Sequence, residues 1–336
     1  MNCYAIPPAL GQEDFYMSKK EVRALSWKRK DLLDLDDLSA QEIELILQCA
    51  LPMKEVLSRP LKKLPTLRGK SIALMFYENS TRTRTSFEIA GKILGADITN
   101  FSVAQSSVNK GESLLDTAKT LQAMNIDLVI IRHASSGASE FLAKQLRAGV
   151  INGGDGQHAH PTQALLDFFT MKERWGDFRG KKILIVGDIL HSRVARSNAL
   201  GLKKLGAEVV LIGPPTLLPP EMSYLGVRTS YNLDRELPGA DAVMALRLQL
   251  ERQQSGLFPS LREYNRLYGL TKERIAKTGK DTIVLHPGPL NRGVEISSDL
   301  ADSVQSVIEE QVTNGVAVRM ALIYLLMGGG TGNVVA

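Results

Sequence analysis

Apolar residues fall at helical spacing across residues 37–57, with Ser39 as a candidate N-cap before Ala40-Gln41-Glu42. The pattern then changes to short, uninterrupted apolar runs separated by helical stretches. Ser71–Phe76 (SIALMF) is the first run, of the kind that suits a strand buried in a parallel sheet. Ser80 follows as a cap, and Thr81–Leu94 reads as a helix. Runs at 127–131 (DLVII) and 150–152 predict two more strands, ending at Arg132-His133 and at Gly153-Gly154-Asp155-Gly156. Pro161–Trp175 reads as a long helix able to link two domains. A second series follows: a strand at Lys182–Val186 (KILIV), a Gly187-Asp188 turn, a helix at 192–205, and strands at Glu208–Ile212, 242–246 and 282–285. A last helix is predicted near 316–327. Residues 1–20, with Pro7-Pro8 and Gly11, carry no apolar period and read as a tail. The alternation predicts an α/β fold of two doubly wound parallel-sheet domains joined by helices, at residues 20–165 and 166–316.

In open parallel sheets a ligand sits at the carboxyl ends of the strands. Residues 78–84, 132–133, 160–163, 188–193, 247–249 and 286–289 are therefore expected to face one crevice. The first segment carries the densest chemistry. Ser80-Thr81-Arg82-Thr83-Arg84-Thr85-Ser86 places five hydroxyl residues and two arginines in seven positions, just after an apolar strand. A helix N-terminus has free amides and a partial positive charge, so it binds phosphate, and hydroxyls and guanidinium groups add donors. One Ser or Thr would be explained by capping alone; this density with arginines is not. The Gly-x4-Gly-Lys-Ser/Thr pattern of a P-loop is absent.

Composition narrows the class. At 336 residues, 44% hydrophobic and 23% charged, the chain suits two globular domains. No apolar run is long enough to cross a bilayer, and the N-terminus lacks the order of a secretory signal. Cys3 and Cys49 offer neither a good disulfide nor a zinc cluster, so a reducing cytoplasmic location is expected. The net charge of +5 is spread out, and the groups Lys19-Lys20 and Lys28-Arg29-Lys30 have only Trp27 as a close aromatic neighbour. Anionic small molecules account for this charge better than nucleic acid or a membrane surface.

The run from Tyr77 to Glu88 (YENSTRTRTSFE) closely resembles the carbamoyl-phosphate motif of the aspartate/ornithine carbamoyltransferase family. The resemblance continues through Lys110-Gly111-Glu112 with Asp116-Thr117, Arg132-His133, His160-Pro161-Thr162-Gln163-Ala164-Leu165-Leu166-Asp167, Arg193, Leu246-Arg247-Leu248-Gln249 with Glu251-Arg252, and His286-Pro287-Gly288-Pro289 with Asn291-Arg292-Gly293. Several ordered motifs make the match specific where any one would be weak. It implies a carbamoyl-phosphate domain followed by an acceptor domain, with the C-terminal helix (317–336) packed back on the first. It implies Ser80, Thr81, Arg82 and Thr83 as a phosphate cradle, and Thr83, Arg132 and His160 as donors to the carbonyl oxygen. Gln163, with backbone carbonyls around Pro287, Gly288 and Pro289, would read the carbamoyl NH2. Ser106 and Lys110 would reach in from a neighbouring subunit, giving a homotrimer with shared sites. Lys110, Arg193, Arg247 and Gln249 would hold the acceptor. No metal or cofactor is implied; regulatory chains or a dihydroorotase partner stay open.

On the residues alone, His160 also fits a core histidine bonded to backbone, Arg193 a surface helix position, and Lys110 a solvated loop. The acceptor is read from the late motif. Ornithine enzymes of the family typically carry His-Cys-Leu-Pro there, whereas this chain has His286-Pro287-Gly288-Pro289. Arg247 with Gln249 suits a second carboxylate rather than an amine. The expectation is transfer of the carbamoyl group to the amine of aspartate, the chemistry of de novo pyrimidine synthesis. Asn109, Ala134 and Gly288 depart from residues frequent in the family, but none removes a side chain with an implied role. A catalytically silent scaffold would be expected to have lost Arg82, His160 or Arg247, and all are present. A nicotinamide-binding oxidoreductase is disfavoured because Gly-x-Gly-x-x-Gly is missing after Val186.

Overall fold

The structure, a computed structural model, describes residues 27–102, 112–248 and 260–328. The expected tail, Cys3, Ser106, Lys110 and Gln249 lie outside the described residues. Helix α1 (Ala40–Ser58) starts at Ser39, whose hydroxyl accepts from the Glu42 amide while Glu42 reaches back to the Ser39 amide. Such a reciprocal cap is worth about 1 kcal/mol.

The first sheet contains β1 (Ser71–Phe76), β2 (Asp97–Ser102), β3 (Leu128–His133) and β4 (Gly149–Asp155), all parallel, in the order β2-β1-β3-β4. Its connecting helices are α2 (Thr81–Leu94), α3 (Leu114–Ala123) and α4 (Ala138–Gln145). The second sheet contains β5 (Lys182–Val186), β6 (Glu208–Ile212), β7 (Arg228–Ser230), β8 (Ala242–Ala245) and β9 (Ile283–Leu285), again parallel, in the order β7-β6-β5-β8-β9. In each sheet the chain winds outward one way and then the other. The strand order reverses between β1 and β3 in the first sheet and between β5 and β8 in the second.

Between the sheets runs α5 (Pro161–Trp175), followed after β5 by α6 (Arg193–Lys204). Phe168 and Phe169 on α5 are fully buried in one core with Leu74 and Ile130 of the first sheet and Ile185 and Leu211 of the second. Gly201 on α6 permits this contact: a Cβ there would lie 2.5 Å from the Phe168 ring. The second sheet has a further core of its own, built on Leu184, Val210 and Val243.

Shorter helices complete the second half: α7 (Leu233–Glu236), α8 (Leu261–Tyr268), α9 (Lys272–Ala276) and α10 (Ser298–Ala301). The last helix, α11 (Ile308–Leu326), begins well ahead of residue 316, and it packs on α1, α2 and α5. Its first turns escape an apolar reading because their buried residues are Gln311 and Asn314. Strand β3 also runs further than its apolar run, through Arg132 and His133, because Phe76 pairs with Arg132 and Asp155 with His133. Strands β2 and β7 have weak sequence signals; both lie at sheet edges, where polar residues are tolerated.

Candidate active site

Both topological switch points carry predicted site residues, as the rule for open parallel sheets requires. At the first, Tyr77 N donates to Arg132 O at 2.9 Å, tying the end of β1 to the end of β3. The chain then turns through Ser80 into α2. Ser80 occupies the N-cap position, yet its side chain makes no capping hydrogen bond, unlike those of Ser39, Ser113 and Ser192. Thr83 is buried, while Thr81 and Arg82 are exposed at the helix start. The Arg82 guanidinium lies against the turn after β9: a Cβ on Gly288 would be 3.0 Å from Arg82 Nη1. Gly288 has φ +66 and precedes a cis peptide to Pro289. That turn is pinned by His286, whose Nδ1 accepts from Gly288 N at 2.8 Å and whose Nε2 faces Glu295 Oε1 at 3.2 Å.

Strand β4 bulges against β3. Asn152 pairs with Ile131 and Asp155 with His133, so Gly153 and Gly154 together face Arg132 alone, one residue in excess. Bulges of this sort re-aim neighbouring side chains. Arg132 Nη1 donates to Gly153 O at 3.2 Å and meets His160 Nε2 at 3.3 Å. A Cβ on Gly154, which has φ +116, would fall 3.1 Å from both Arg132 Nη1 and Arg193 Cζ. The glycine thus lets two guanidinium groups converge over one backbone segment.

Arg193, at the start of α6, is buried rather than a surface residue. Its Nη1 donates to Gly156 O at 3.2 Å and its Nη2 to Glu78 Oε2 at 2.8 Å. Arg132 Nε approaches the same Glu78 oxygen at 3.5 Å. Glu78 is a residue whose contacts sequence reasoning missed; its signal was a carboxylate beside a run of hydroxyls and arginines.

His160 is the N-cap of α5, buried, with its backbone N donating to Ser197 Oγ at 2.9 Å. Burial, then the charges of Arg132, Arg193 and Arg319, push its pKa well below the ordinary histidine range. The ring is therefore neutral at physiological pH. Because an Arg can only donate, Nε2 accepts from Arg132 and the ring proton is assigned to Nδ1. Nδ1 is buried without a hydrogen-bond partner among the described residues. Gln163, one turn along α5, is also buried; its Nε2 donates to Asp167 Oδ1 at 3.0 Å. At the second switch point, Arg247 follows β8 and is half-buried.

These placements join Arg132, His160, Glu78 and Arg193 around residues 153–156, and Arg82 to Gly288. Among the described residues no group of three or more His, Cys, Asp or Glu is arranged to hold a metal ion. No helix among them is long and apolar enough to cross a membrane.

The family model for the carbamoyl-P binding domain of aspartate/ornithine carbamoyltransferase matches residues 30–173, and that for the Asp/Orn binding domain matches residues 179–326. The chain belongs to the aspartate/ornithine carbamoyltransferase family. Within it, the chain is 71% identical to an aspartate carbamoyltransferase catalytic subunit of Desulfitobacterium hafniense over 311 residues, 93% of this chain and 100% of that protein. Among solved carbamoyltransferases, ornithine carbamoyltransferase from Pyrococcus furiosus superposes with a TM-score of 0.80 at 30% identity, covering 91% of this chain and 99% of that one. Aspartate transcarbamoylase from Trypanosoma cruzi, in complex with carbamoyl aspartate and phosphate, gives a TM-score of 0.78 at 27% identity, covering 90% and 96%. The first match ends at residue 173 within α5, the helix that carries His160 and Gln163, and the second begins at residue 179, just after it.

Proposed function

We propose that this carbamoyltransferase moves the carbamoyl group of carbamoyl phosphate to the amine of L-aspartate, giving N-carbamoyl-L-aspartate and phosphate, a step of pyrimidine synthesis. The observation that carries the chemistry is the pairing of Arg132 with a buried, neutral His160 at 3.3 Å beside the glycine bulge. Arg132, oriented by the acceptor nitrogen of His160, is a preorganised donor of the kind that stabilises a developing oxyanion. Aspartate as acceptor is supported by the relative at 71% identity and by His286-Pro287-Gly288-Pro289.

The neutral amine of aspartate attacks the carbonyl carbon. A C–N bond forms, the carbonyl oxygen gains charge beside Arg132, His160 and Thr83, and the C–O bond to phosphate then breaks. The amine's surplus proton goes to the departing phosphate, so no nucleophilic side chain is needed. Ser80, Thr81, Arg82 and the amides at the start of α2 hold the phosphate. The Gln163 oxygen and the backbone carbonyls of Pro287, Gly288 and Pro289 accept from the carbamoyl NH2. Arg193, Arg247 and Gln249 hold the acceptor's carboxylates, with Glu78 orienting Arg193. Proximity and electrostatics supply the acceleration.

Residues 20–165, with α11 packed against them, would form the donor half, and residues 166–316 the acceptor half. Ser106 and Lys110 complete a neighbour's site in a cytoplasmic homotrimer. Steady-state kinetics of two variants test the assignment. Arg82→Ala should raise KM for carbamoyl phosphate and lower kcat, while Arg247→Ala should act chiefly on KM for aspartate. Equal effects of both variants on both substrates would defeat the division into halves.

A further inference from the structure

Asp167 is fully buried on α5, four residues after Gln163 and therefore on the same face of the helix. Three side-chain amides converge on its carboxylate. Gln163 Nε2 donates to Oδ1 at 3.0 Å, Gln311 Nε2 to the same oxygen at 2.7 Å, and Asn198 Nδ2 to Oδ2 at 2.9 Å. Gln311 belongs to α11, and its own oxygen accepts from the backbone N of His286 at 3.0 Å. Asn198 belongs to α6, the helix that begins at Arg193. One carboxylate therefore touches the helix of Gln163, the helix of Arg193 and, through Gln311, the turn that contains Gly288.

The direction of the first bond matters most. A side-chain amide has a donor end and an acceptor end, and a flip exchanges them. Gln163 spends its donor end on Asp167, which leaves the amide oxygen as the end available to a ligand. Turning the amide over would set its oxygen against a carboxylate oxygen, two acceptors facing each other among buried groups. Burial pushes the Asp167 pKa up to about 7, against the pull of the bonds from Asn198, Gln311 and Gln163 and the charge of Arg319. Above that pH the group is ionised and accepts from all three amides.

We propose that Asp167 is the positioning residue that fixes the Gln163 amide with its oxygen toward the donor substrate, so that selection of a carbamoyl over an acyl phosphate depends on a side chain that touches neither. The inference rests on the reading of Gln163 as the acceptor for the carbamoyl NH2. Without the carboxylate, the amide is free to present its NH2 end, which cannot accept from the carbamoyl NH2.

The test compares equilibrium binding of carbamoyl phosphate and acetyl phosphate, which carries a methyl group in place of NH2. It uses the full-length protein and the variants Asp167→Ala, Gln163→Ala, the double variant and Asp167→Asn. Asp167→Val, which keeps the volume filled, replaces Asp167→Ala should that variant not fold. The wild-type preference for carbamoyl phosphate should fall roughly threefold to tenfold in Asp167→Ala, the span of one net hydrogen bond. It should fall no further when Gln163→Ala is added. Asp167→Asn retains an acceptor for Gln163 and should keep most of the preference. A purely structural carboxylate would weaken both ligands equally and leave the ratio unmoved. If Gln163→Ala lowers the preference and Asp167→Ala and Asp167→Val do not, the role of Asp167 is overturned while the reading of Gln163 stands. If Gln163→Ala leaves the preference unchanged, the reading of Gln163 fails and this proposal fails with it.

Discussion

At the scale of single residues, the site depends on arginines whose surroundings set their direction. Arg132 is held by Gly153 O, His160 and Glu78, and Arg193 by Gly156 O and Glu78. Removing one preorganised donor to a developing oxyanion costs about 10²–10³ in kcat. Arg132→Ala should therefore lower kcat by about that factor in a steady-state assay. A histidine outside the catalytic set gives a pH test. His158 is raised to about 10 by hydrogen bonds to Asp155 and to Asp34. Its folded value lies above the ordinary value of about 6.5, so its stabilisation is complete below that pH and is lost as pH rises toward 10. Denaturant midpoints measured from pH 7 to 10 should decline, and His158→Gln should flatten the decline. Among the candidate site residues, Arg132 stood out because it ends an apolar strand, and His160 because it opens a helix after a glycine-rich stretch; the structure brings these two together. The contacts of Glu78 and Asp167 were not legible, because each meets partners remote in sequence: Arg193 for one, Asn198 and Gln311 for the other.

At the scale of elements, apolar runs and caps located the central strands closely. Ser71–Phe76, Lys182–Val186 and Glu208–Ile212 have the extents that their side chains predict. The edge strands β2 and β7 were missed, since an edge needs no continuous apolar run. The bulge in β4 was written in the sequence only as two adjacent glycines, and what it does depends on β3 beside it. Gly154→Ala should place a Cβ into Arg132 and Arg193 at a backbone angle that favours glycine. Such strained positions cost about 1–3 kcal/mol. We expect a lower midpoint in chemical denaturation and weaker binding of carbamoyl phosphate. Unchanged values for both would mean that the guanidinium groups do not depend on the close approach at Gly154. Ser39→Ala, by contrast, should cost about 1 kcal/mol through the helix cap and leave turnover untouched.

At the scale of the whole molecule, α5 and α11 join the two sheets. They share the core around Phe168 and Phe169, and the buried polar cluster at Asp167. The doubly wound class was readable from alternation alone, because a strand covered on both faces must be apolar throughout. How α11 closes over the first sheet was readable only in part, since its leading turns bury amides rather than apolar groups. The proposal that Lys110 completes a neighbouring subunit's site makes a prediction here. Mixing Lys110→Ala with Arg82→Ala protein should restore activity in hybrid trimers, because some sites then receive both intact contributions. No restoration in hybrids shown to form would place each site within one chain. The most direct test of the central claim is to supply carbamoyl phosphate with aspartate and, in parallel, with ornithine, and to identify the product. N-carbamoyl-L-aspartate is the expected product, lost in Arg82→Ala and in Arg247→Ala; citrulline, or no transfer to either acceptor by folded protein, would contradict aspartate carbamoylation.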